Sequence, residues 1–270
     1  MSGTEASEPL VLVEAVEEGI SRITLNRPEK RNAMNRAART ALVDALDECR
    51  EQRAKVVILT GAGPAFCSGV DLKETAPEGH TSPIDDSAAR RSSWRNVQDE
   101  IRRHPAVVIA AVNGYALGGG LTLINTSDLA VAAEDAQIGM PEVSFGLYPG
   151  MAGPSTQLRL GSKRASWMVL SAERIDGRKA EEWGLVNRAV PAAQVADEAL
   201  AMARIVARYD AVTLEWCKRA LWEIPMHITD WSTALEYGEN VRAQIRVRTD
   251  SLDRGLANFA EGKRGAGQGR

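Results

Sequence analysis

Three consecutive glycines at 118–120 suggest chemistry by their placement. They follow an apolar, strand-like run at 106–113 and precede an apolar run, starting at Leu121, that is typical of a helix. Glycine lets the backbone approach a ligand closely, and amides at a helix start attract anions because the helix dipole reinforces them. The glycines therefore predict exposed amide donors for a negative charge. Taken alone, they are equally compatible with a flexible hinge.

A second glycine-rich segment, at 61–73, also follows an apolar strand-like run. Dinucleotide-binding proteins place glycines at such a point, but their G-x-G-x-x-G fingerprint would require glycine where Phe66 stands. The local pattern otherwise leaves an ordinary loop between a strand and a helix as the alternative to a functional site.

Glu142 is the acidic residue of a short segment at 139–146. Pro141 suits a first helical position and Gly146 suits a helix end, which predicts Glu142 in the first turn of a short helix. Such a carboxylate either stabilises the helix start or transfers protons. A free glutamate titrates near about 4.3, and an apolar pocket raises its pKa toward the range useful for acid/base work.

Composition and charge argue against several classes of function. The 270-residue chain carries a formal net charge of −3 with mixed signs, so it lacks the basic surface that nucleic-acid binding requires. No run reaches the roughly 20 apolar residues of a membrane helix. The small, acidic stretch 1–9, predicted to be a disordered tail, shows no targeting pattern. A soluble, cytoplasmic protein is expected.

Cysteine and histidine placement argues against a metal or nucleophile site. Cys49, Cys67 and Cys217 are far apart and without neighbouring histidines, which predicts neither a disulfide framework nor a zinc site. Cys67 is expected to pack as a small buried hydrophobe. The three histidines show no ligand spacing and no G-x-S-x-G partner, so no metal and no serine-hydrolase role is predicted.

The elements that must position these segments follow from periodicity. Two apolar runs at 10–16 and 20–25 predict a hairpin, and apolar positions at three- and four-residue intervals predict a helix over 35–53. Further strands are predicted at 55–60, 106–113 and 129–133, with a helix at 94–103 and mostly helices beyond Lys163. This order predicts an α/β core followed by a helical C-terminal part.

Several stretches together resemble the enoyl-CoA hydratase/isomerase (crotonase) superfamily over roughly Leu10 to Arg264. They are NRPEKRNA at 26–33, LTGAGPAFCSGVDLK at 59–73, IAAVNGYALGGG at 109–120, MPE at 140–142, YPG at 148–150 and WGLVN at 183–187. The resemblance implies an α/β fold built as a spiral of ββα units with a helical C-terminal trimerisation region. It divides the chain into a core at 10–195, an oligomerisation region at 196–264 and a disordered tail at 265–270.

The resemblance also implies an acyl-CoA substrate and a role for each motif. The thioester oxygen would be held by the backbone amides of Val70 and Gly119, and Glu142 would be the acid/base. Preorganised amides that meet a developing negative charge contribute on the order of 3 kcal/mol each. No separate cofactor is implied, because the substrate carries coenzyme A as its thioester.

Contacts to coenzyme A are implied for six residues, and solvated surface is the alternative for the basic ones. They are Lys30, Arg31, Ser68, Leu72, Phe259 and Lys263. In the family, the last two match a C-terminal pair that reaches the ligand of a neighbouring subunit. A homotrimer or a dimer of trimers is therefore expected.

The chain departs from the family pattern near the acyl group. Typical hydratases carry a second glutamate where Thr122 stands, and threonine cannot accept a proton from water at neutral pH. Met151 and Pro154 also replace a shorter run of small residues. A one-glutamate enzyme is expected, either a double-bond isomerase or a weak hydratase. Hydratase-lyases, C–C hydrolases, decarboxylases and a non-catalytic CoA-binding scaffold trimer are the alternatives.

Overall fold

The computed structural model describes residues 8–71 and 91–262. The predicted tail at 265–270, most of the predicted tail at 1–9, and two predicted CoA contacts, Leu72 and Lys263, lie outside the described residues. Nine strands are present in the described part of the chain: β1 Val11–Glu17, β2 Ile20–Leu25, β3 Val56–Gly61, β4 Ala65–Cys67, β5 Val107–Val112, β6 Tyr115–Leu117, β7 Leu129–Ala133, β8 Ile138–Gly139 and β9 Arg188–Val190.

Ten α-helices accompany these strands in the same ranges. They are α1 Arg36–Glu51, α2 Trp94–Arg103, α3 Gly119–Thr126, α4 Ala152–Gln157, α5 Ser162–Ser171, α6 Gly177–Trp183, α7 Val195–Ala207, α8 Ala211–His227, α9 Trp231–Arg248 and α10 Ser251–Ala260. The first helix is capped by Asn35, whose side chain accepts a hydrogen bond from the amide of Ala38. This cap satisfies one of the amides that a helix start leaves without an intrahelical partner.

The main sheet has six strands in the order β1-β2-β3-β5-β7-β9. Only β1 and β2 pair antiparallel, as the predicted hairpin, and the later neighbours pair in parallel. All six residues of β5 are buried, which is typical of a central parallel strand covered on both faces. A second sheet has the order β4-β6-β8, with all pairs parallel. This arrangement confirms the predicted α/β class.

The structure differs from the sequence prediction in its shortest strands. The second sheet was not predicted, because two or three residues are too few to show an alternating pattern. The described chain beyond Lys163 is mostly helical, as predicted, although the short strand β9 also occurs there and pairs with β7. Helix α3 begins at Gly119 rather than at Leu121, so two of the three glycines lie inside its first turn.

The C-terminal helices divide into a packed part and an exposed part. Helix α7 buries Val195, Ala199 and Ala203 against the sheet. In α8, the buried Lys218 bonds the carboxylate of Asp128 at 2.9 Å, which fastens this helix to the turn before β7. Helix α9 buries only one of its residues, and α10 buries none within the described chain. The predicted boundary at 195/196 stays a prediction.

Among the described helices, none combines the length and the apolar character that crossing a membrane would require.

Candidate active site

The chain after β4 carries the first predicted amide donor. Val70 lies opposite Met34 in an isolated parallel bridge, in which the Met34 amide donates to Gly69 (2.8 Å) and the Asp71 amide donates to Met34 (3.3 Å). Because successive peptide groups of an extended segment point to opposite sides, the N–H of Val70 is directed away from Met34.

A buried ion pair fixes this segment in place. The guanidinium of Arg27 lies 3.2 Å from the carboxylate of Asp71, and both side chains are mostly buried. The Arg27 amide donates to Asn32, whose own side-chain amide donates to the carbonyls of Ala62 and Ala65 at 3.0 and 2.7 Å. The residue after Val70 is thus connected through Arg27 and Asn32 to the loop between β3 and β4.

The start of α3 carries the second predicted donor and lies directly against the first loop. Gly119 is the first residue of α3, so its N–H has no acceptor within the helix. Gly69 has a φ of +93°, and a Cβ there would lie 2.7 Å from the Leu117 oxygen and 3.1 Å from the Gly119 nitrogen. Only glycine allows this approach, which places Val70 and Gly119 on two touching segments.

Glu142 lies beside the same glycines. It occupies a 3-10 helix, Pro141–Phe145, that ends at Gly146 with a φ of +74°. A Cβ at Gly118, where φ is +50°, would lie 2.6 Å from Oε1 of Glu142. Oε2 is buried without a hydrogen-bond partner, and burial raises the pKa of this carboxyl above its ordinary value. The predicted acid/base is therefore partly buried and lies next to the start of α3.

Thr122 lies one turn into α3 and is completely buried. Its hydroxyl donates to the carbonyl of Gly118 at 3.3 Å, and its amide donates to the same oxygen at 3.1 Å. The side chain thus bonds back onto its own helix, and the position contributes no carboxylate to the site.

Trp94 is a site residue that the sequence motifs did not indicate. A Cβ at Gly119 would lie 2.5 Å from Cζ2 of Trp94, so the indole packs directly on the glycine that carries the predicted donor. The ring is 8% exposed, and its Nε1 is buried without a hydrogen-bond partner. No local sequence pattern indicates that Trp94 packs on Gly119. In the sequence, Trp94 is recognisable only as the first residue of a predicted helix.

Three of the predicted CoA contacts, Lys30, Arg31 and Ser68, lie together beside the segment that contains Val70. The amide of Ser68 donates to the Arg31 carbonyl at 3.0 Å, and its hydroxyl donates to the Lys30 carbonyl at 3.3 Å. The side chains of Lys30 and Arg31 are exposed, and Arg31 stacks over Tyr115 at 5.1 Å. Phe259 lies on α10 and is 75% exposed.

The remaining candidate nucleophile and histidine are part of the core. Cys67 is fully buried, and burial raises its pKa to about 12, so it stays a thiol at neutral pH. His104 is buried between the carbonyl of Leu46 (2.9 Å) and the amide of Ala106 (3.1 Å), and burial lowers its pKa to about 4. Across residues 8–71 and 91–262, no cluster of three or more His, Cys, Asp or Glu could hold a metal ion.

Comparison with solved structures gives the class of the fold. An enoyl-CoA hydratase of Mycobacterium smegmatis superposes with a TM-score of 0.86 at 31% identity, covering 95% of this chain and 98% of that one. An enoyl-CoA hydratase of Bacillus anthracis superposes with a TM-score of 0.83 at 30% identity, covering 94% and 97%. The architecture is therefore the crotonase fold.

Sequence comparison gives the family. The model of the enoyl-CoA hydratase/isomerase family matches residues 15–265. The hydroxycinnamoyl-CoA hydratase-lyase of Pseudomonas fluorescens is 34% identical over 233 residues, 83% of this chain and 84% of that protein. The 2,3-dehydroadipyl-CoA hydratase of Escherichia coli K12 is 37% identical over 201 residues, 74% and 76% of the two chains. The chain belongs to the enoyl-CoA hydratase/isomerase family, and it is an acyl-CoA-processing enzyme.

Gly119→Ala is expected to lower kcat/KM by about 10² to 10³, because the new methyl group collides with Trp94 and displaces the amide of residue 119. The measurement is steady-state turnover of an acyl-CoA substrate, with circular dichroism to verify folding. Adding Trp94→Leu to Gly119→Ala should restore part of the activity, since it removes the colliding ring. Gly161→Ala is the matched control, because nothing lies within 4 Å of a Cβ there. Full activity in Gly119→Ala would contradict the close packing at this glycine.

Proposed function

We propose that the enzyme stabilises the enolate of an acyl-CoA thioester with the amides of Val70 and Gly119 and transfers protons with Glu142. The observation that carries this proposal is the contact at Gly118, where the carboxylate of Glu142 lies against the residue that precedes the Gly119 amide. The proposed acid/base thus lies beside the residue before one proposed amide, and the segment of the other proposed amide contacts the same helix start, which supports the proposal.

The chemistry follows from where charge develops. Removing a proton next to a thioester, or adding a nucleophile beyond a conjugated double bond, moves negative charge onto the thioester oxygen. Fixed amides stabilise that charge at no cost of reorganisation, because the chain has already oriented them on folding. The buried Arg27–Asp71 pair supports this role, since it holds the segment on which Val70 lies.

The burial of Glu142 sets the expected pH dependence. Because the pKa of Glu142 is raised, its carboxyl stays protonated to a higher pH than that of a free glutamate. The pH at which it gains or loses a proton is therefore closer to neutral. Where it must act as a base, kcat/KM rises with pH through this raised pKa. Where it must act as an acid, activity falls with pH through the same value.

The reaction that best suits a single carboxylate is the movement of a double bond. One carboxylate can remove a proton from one carbon and return it to another, while the two amides hold the dienolate between these steps. Hydration instead divides naturally between two carboxylates, and Thr122 supplies none. A hydratase-lyase reaction is the second candidate, because one relative is a hydroxycinnamoyl-CoA hydratase-lyase.

Coenzyme A binding completes the proposal. The main-chain carbonyls of Lys30 and Arg31 accept hydrogen bonds from Ser68, two residues before Val70, and both residues are exposed, which suits contact of their side chains with the phosphates of a bound thioester. Leu72, Phe259 and Lys263 are proposed to contribute further contacts, the last two to the ligand of a neighbouring subunit. No separate cofactor is needed in this scheme, and a cytoplasmic location is part of it.

Glu142→Gln is expected to lower kcat by at least about 10², while the Kd for acetyl-CoA changes little. The substitution keeps the shape of the side chain and removes only its titrating group. Turnover of a panel of 2-enoyl-, 3-enoyl- and aryl-acyl-CoAs, followed by mass spectrometry, measures the first quantity, and calorimetry measures the second. Glu51→Gln, at an exposed position of α1, is the control. A loss smaller than about tenfold would leave Glu142 as a helix-start charge.

Crotonyl-CoA hydration is expected to run about 10² to 10⁴ below an ordinary hydratase, because the second carboxylate is missing. Thr122→Glu should recover part of this loss, whereas Thr122→Gln, which has the same length without the charge, should not. Absorbance at the enoyl thioester band measures the rate. An ordinary hydration rate in the native enzyme would show that another acid, such as Asp71, supplies the second function.

A homotrimer or a dimer of trimers is expected in solution. Large apolar side chains project from α9 and α10, with Trp231 78% exposed, Phe259 75% and Leu256 58%. Side chains of this size on adjacent helices favour association with further copies of the chain. Sedimentation equilibrium should report three or six subunits, and a monomer at micromolar concentration would contradict the proposed role of Phe259 across subunits.

A further inference from the structure

A cavity of about 230 Å³ lies between α2, α3 and α4. Its walls include Thr126 from the end of α3, together with Met151 and Pro154. Met151 and Pro154 are the residues at which the sequence departs from its family next to the predicted acyl group. The structure therefore brings these departures together around one cavity, which is called the α2–α3 cavity below.

The same two helices, α2 and α3, border the candidate active site at their starts and the α2–α3 cavity toward their ends. At the starts of the two helices, Trp94 packs on Gly119, and toward their ends Arg102 and Thr126 line the cavity. The helices thus run side by side from the site toward the cavity. Thr126 lies two turns beyond Gly119, which is about 10 Å along the helix.

Gln98 connects the two regions. Its side-chain amide contacts the Trp94 carbonyl at 3.2 Å and the Met151 sulfur at 3.5 Å. An extended acyl chain advances about 1.25 Å per carbon–carbon bond, so a chain of roughly six to eight carbons spans about 6 to 9 Å, and a hydrogen bond of about 3 Å to an arginine covers the remaining distance from Gly119 to the cavity.

The charges that line the α2–α3 cavity are all positive within the described residues. Arg95, Arg102 and Arg159 contribute to its wall, and no aspartate or glutamate does. The guanidinium groups of Arg102 and Arg159 both stack on Trp222, at 4.6 and 3.8 Å from the ring centroid. Two like charges on one ring repel each other, and burial together with Arg102 lowers the pKa of Arg159.

Asp128, whose negative charge acts on Arg159, already has other partners. Asp128 accepts hydrogen bonds from Lys218 at 2.9 Å, from Trp222 at 2.8 Å and from the amide of Val108 at 2.8 Å. In the described part of the chain neither Arg102 nor Arg159 forms a salt bridge, and Nε of Arg102 is buried without a hydrogen-bond partner. A buried guanidinium donor of this kind is costly unless an anion meets it.

We propose that the α2–α3 cavity is the distal end of the acyl pocket and binds a carboxylate at the far end of the acyl chain. The substrate class is then the CoA thioester of a medium-length dicarboxylic acid. Met151, Pro154 and Trp222 contact the methylene chain, and Arg102 and Arg159 bind the carboxylate, with Arg95 at the rim. This inference rests on the proposed acyl-CoA site.

The test is calorimetric titration of the full chain with two saturated ligands, the CoA thioester of hexanedioic acid and hexanoyl-CoA, which differ at the distal end. The native enzyme should bind the carboxylate-ended thioester about ten- to a hundredfold more tightly. Arg102→Gln should abolish this preference and leave hexanoyl-CoA affinity unchanged. The control is Arg103→Gln on the same helix, since Arg103 does not line the cavity. Should Arg102→Gln fail to fold, Arg95→Gln should reduce the preference.

Other outcomes distinguish the two levels of the proposal. Equal binding of both thioesters, or a preference that survives in Arg102→Gln, would overturn the cavity assignment and leave the acyl-CoA site standing. Failure of acetyl-CoA to bind at millimolar concentration would overturn the proposed function itself. Free hexanedioate binding as tightly as its thioester would identify a separate anion site, which contradicts the assignment to the acyl pocket.

Discussion

The start of α3 can exist only because three consecutive residues have no side chain. A Cβ at Gly118 would lie 2.6 Å from Glu142, one at Gly119 would lie 2.5 Å from Trp94, and one at Gly120 would lie 2.0 Å from the carbonyl of Cys67. Three different parts of the chain thus pack directly against the backbone of one helix turn, in the space that side chains would otherwise fill. The position of the candidate acid/base, the indole and the end of β4 all depend on this contact.

Burial gives this region its chemical character. Water is excluded from one oxygen of Glu142, which raises the pKa of this carboxyl and suits it to proton transfer. Backbone amides need no such adjustment, because they carry no ionisable charge and folding alone orients them. A nucleophile at Cys67 would require a thiolate, which burial disfavours by raising its pKa to about 12. The burial of this thiol therefore argues against covalent catalysis by Cys67.

The C-terminal helix α8 joins the core and the α2–α3 cavity through one aromatic residue. The indole N–H of Trp222 donates a hydrogen bond to Asp128, which lies just before β7. The guanidinium groups of Arg102 and Arg159 stack on the ring of the same tryptophan. Lys218 neutralises Asp128 from the same helix. Movement of α8 would therefore alter both the packing on the sheet and the charge at the cavity.

The sequence by itself determined the α/β class and the longer elements, because apolar periodicity is readable within about a dozen residues. Local patterns alone left the glycine runs and Glu142 with structural alternatives, and Val70, Gly119 and Glu142 were predicted as site residues only through the resemblance of several motifs to the family. The shortest strands escaped prediction because they are too brief to show a period. Only the tertiary structure decided that Trp94 packs on Gly119, and that Arg102 lies with Arg159 on one ring. Those contacts join residues far apart in the chain, and their energy comes from packing and charge in three dimensions, which no local pattern records.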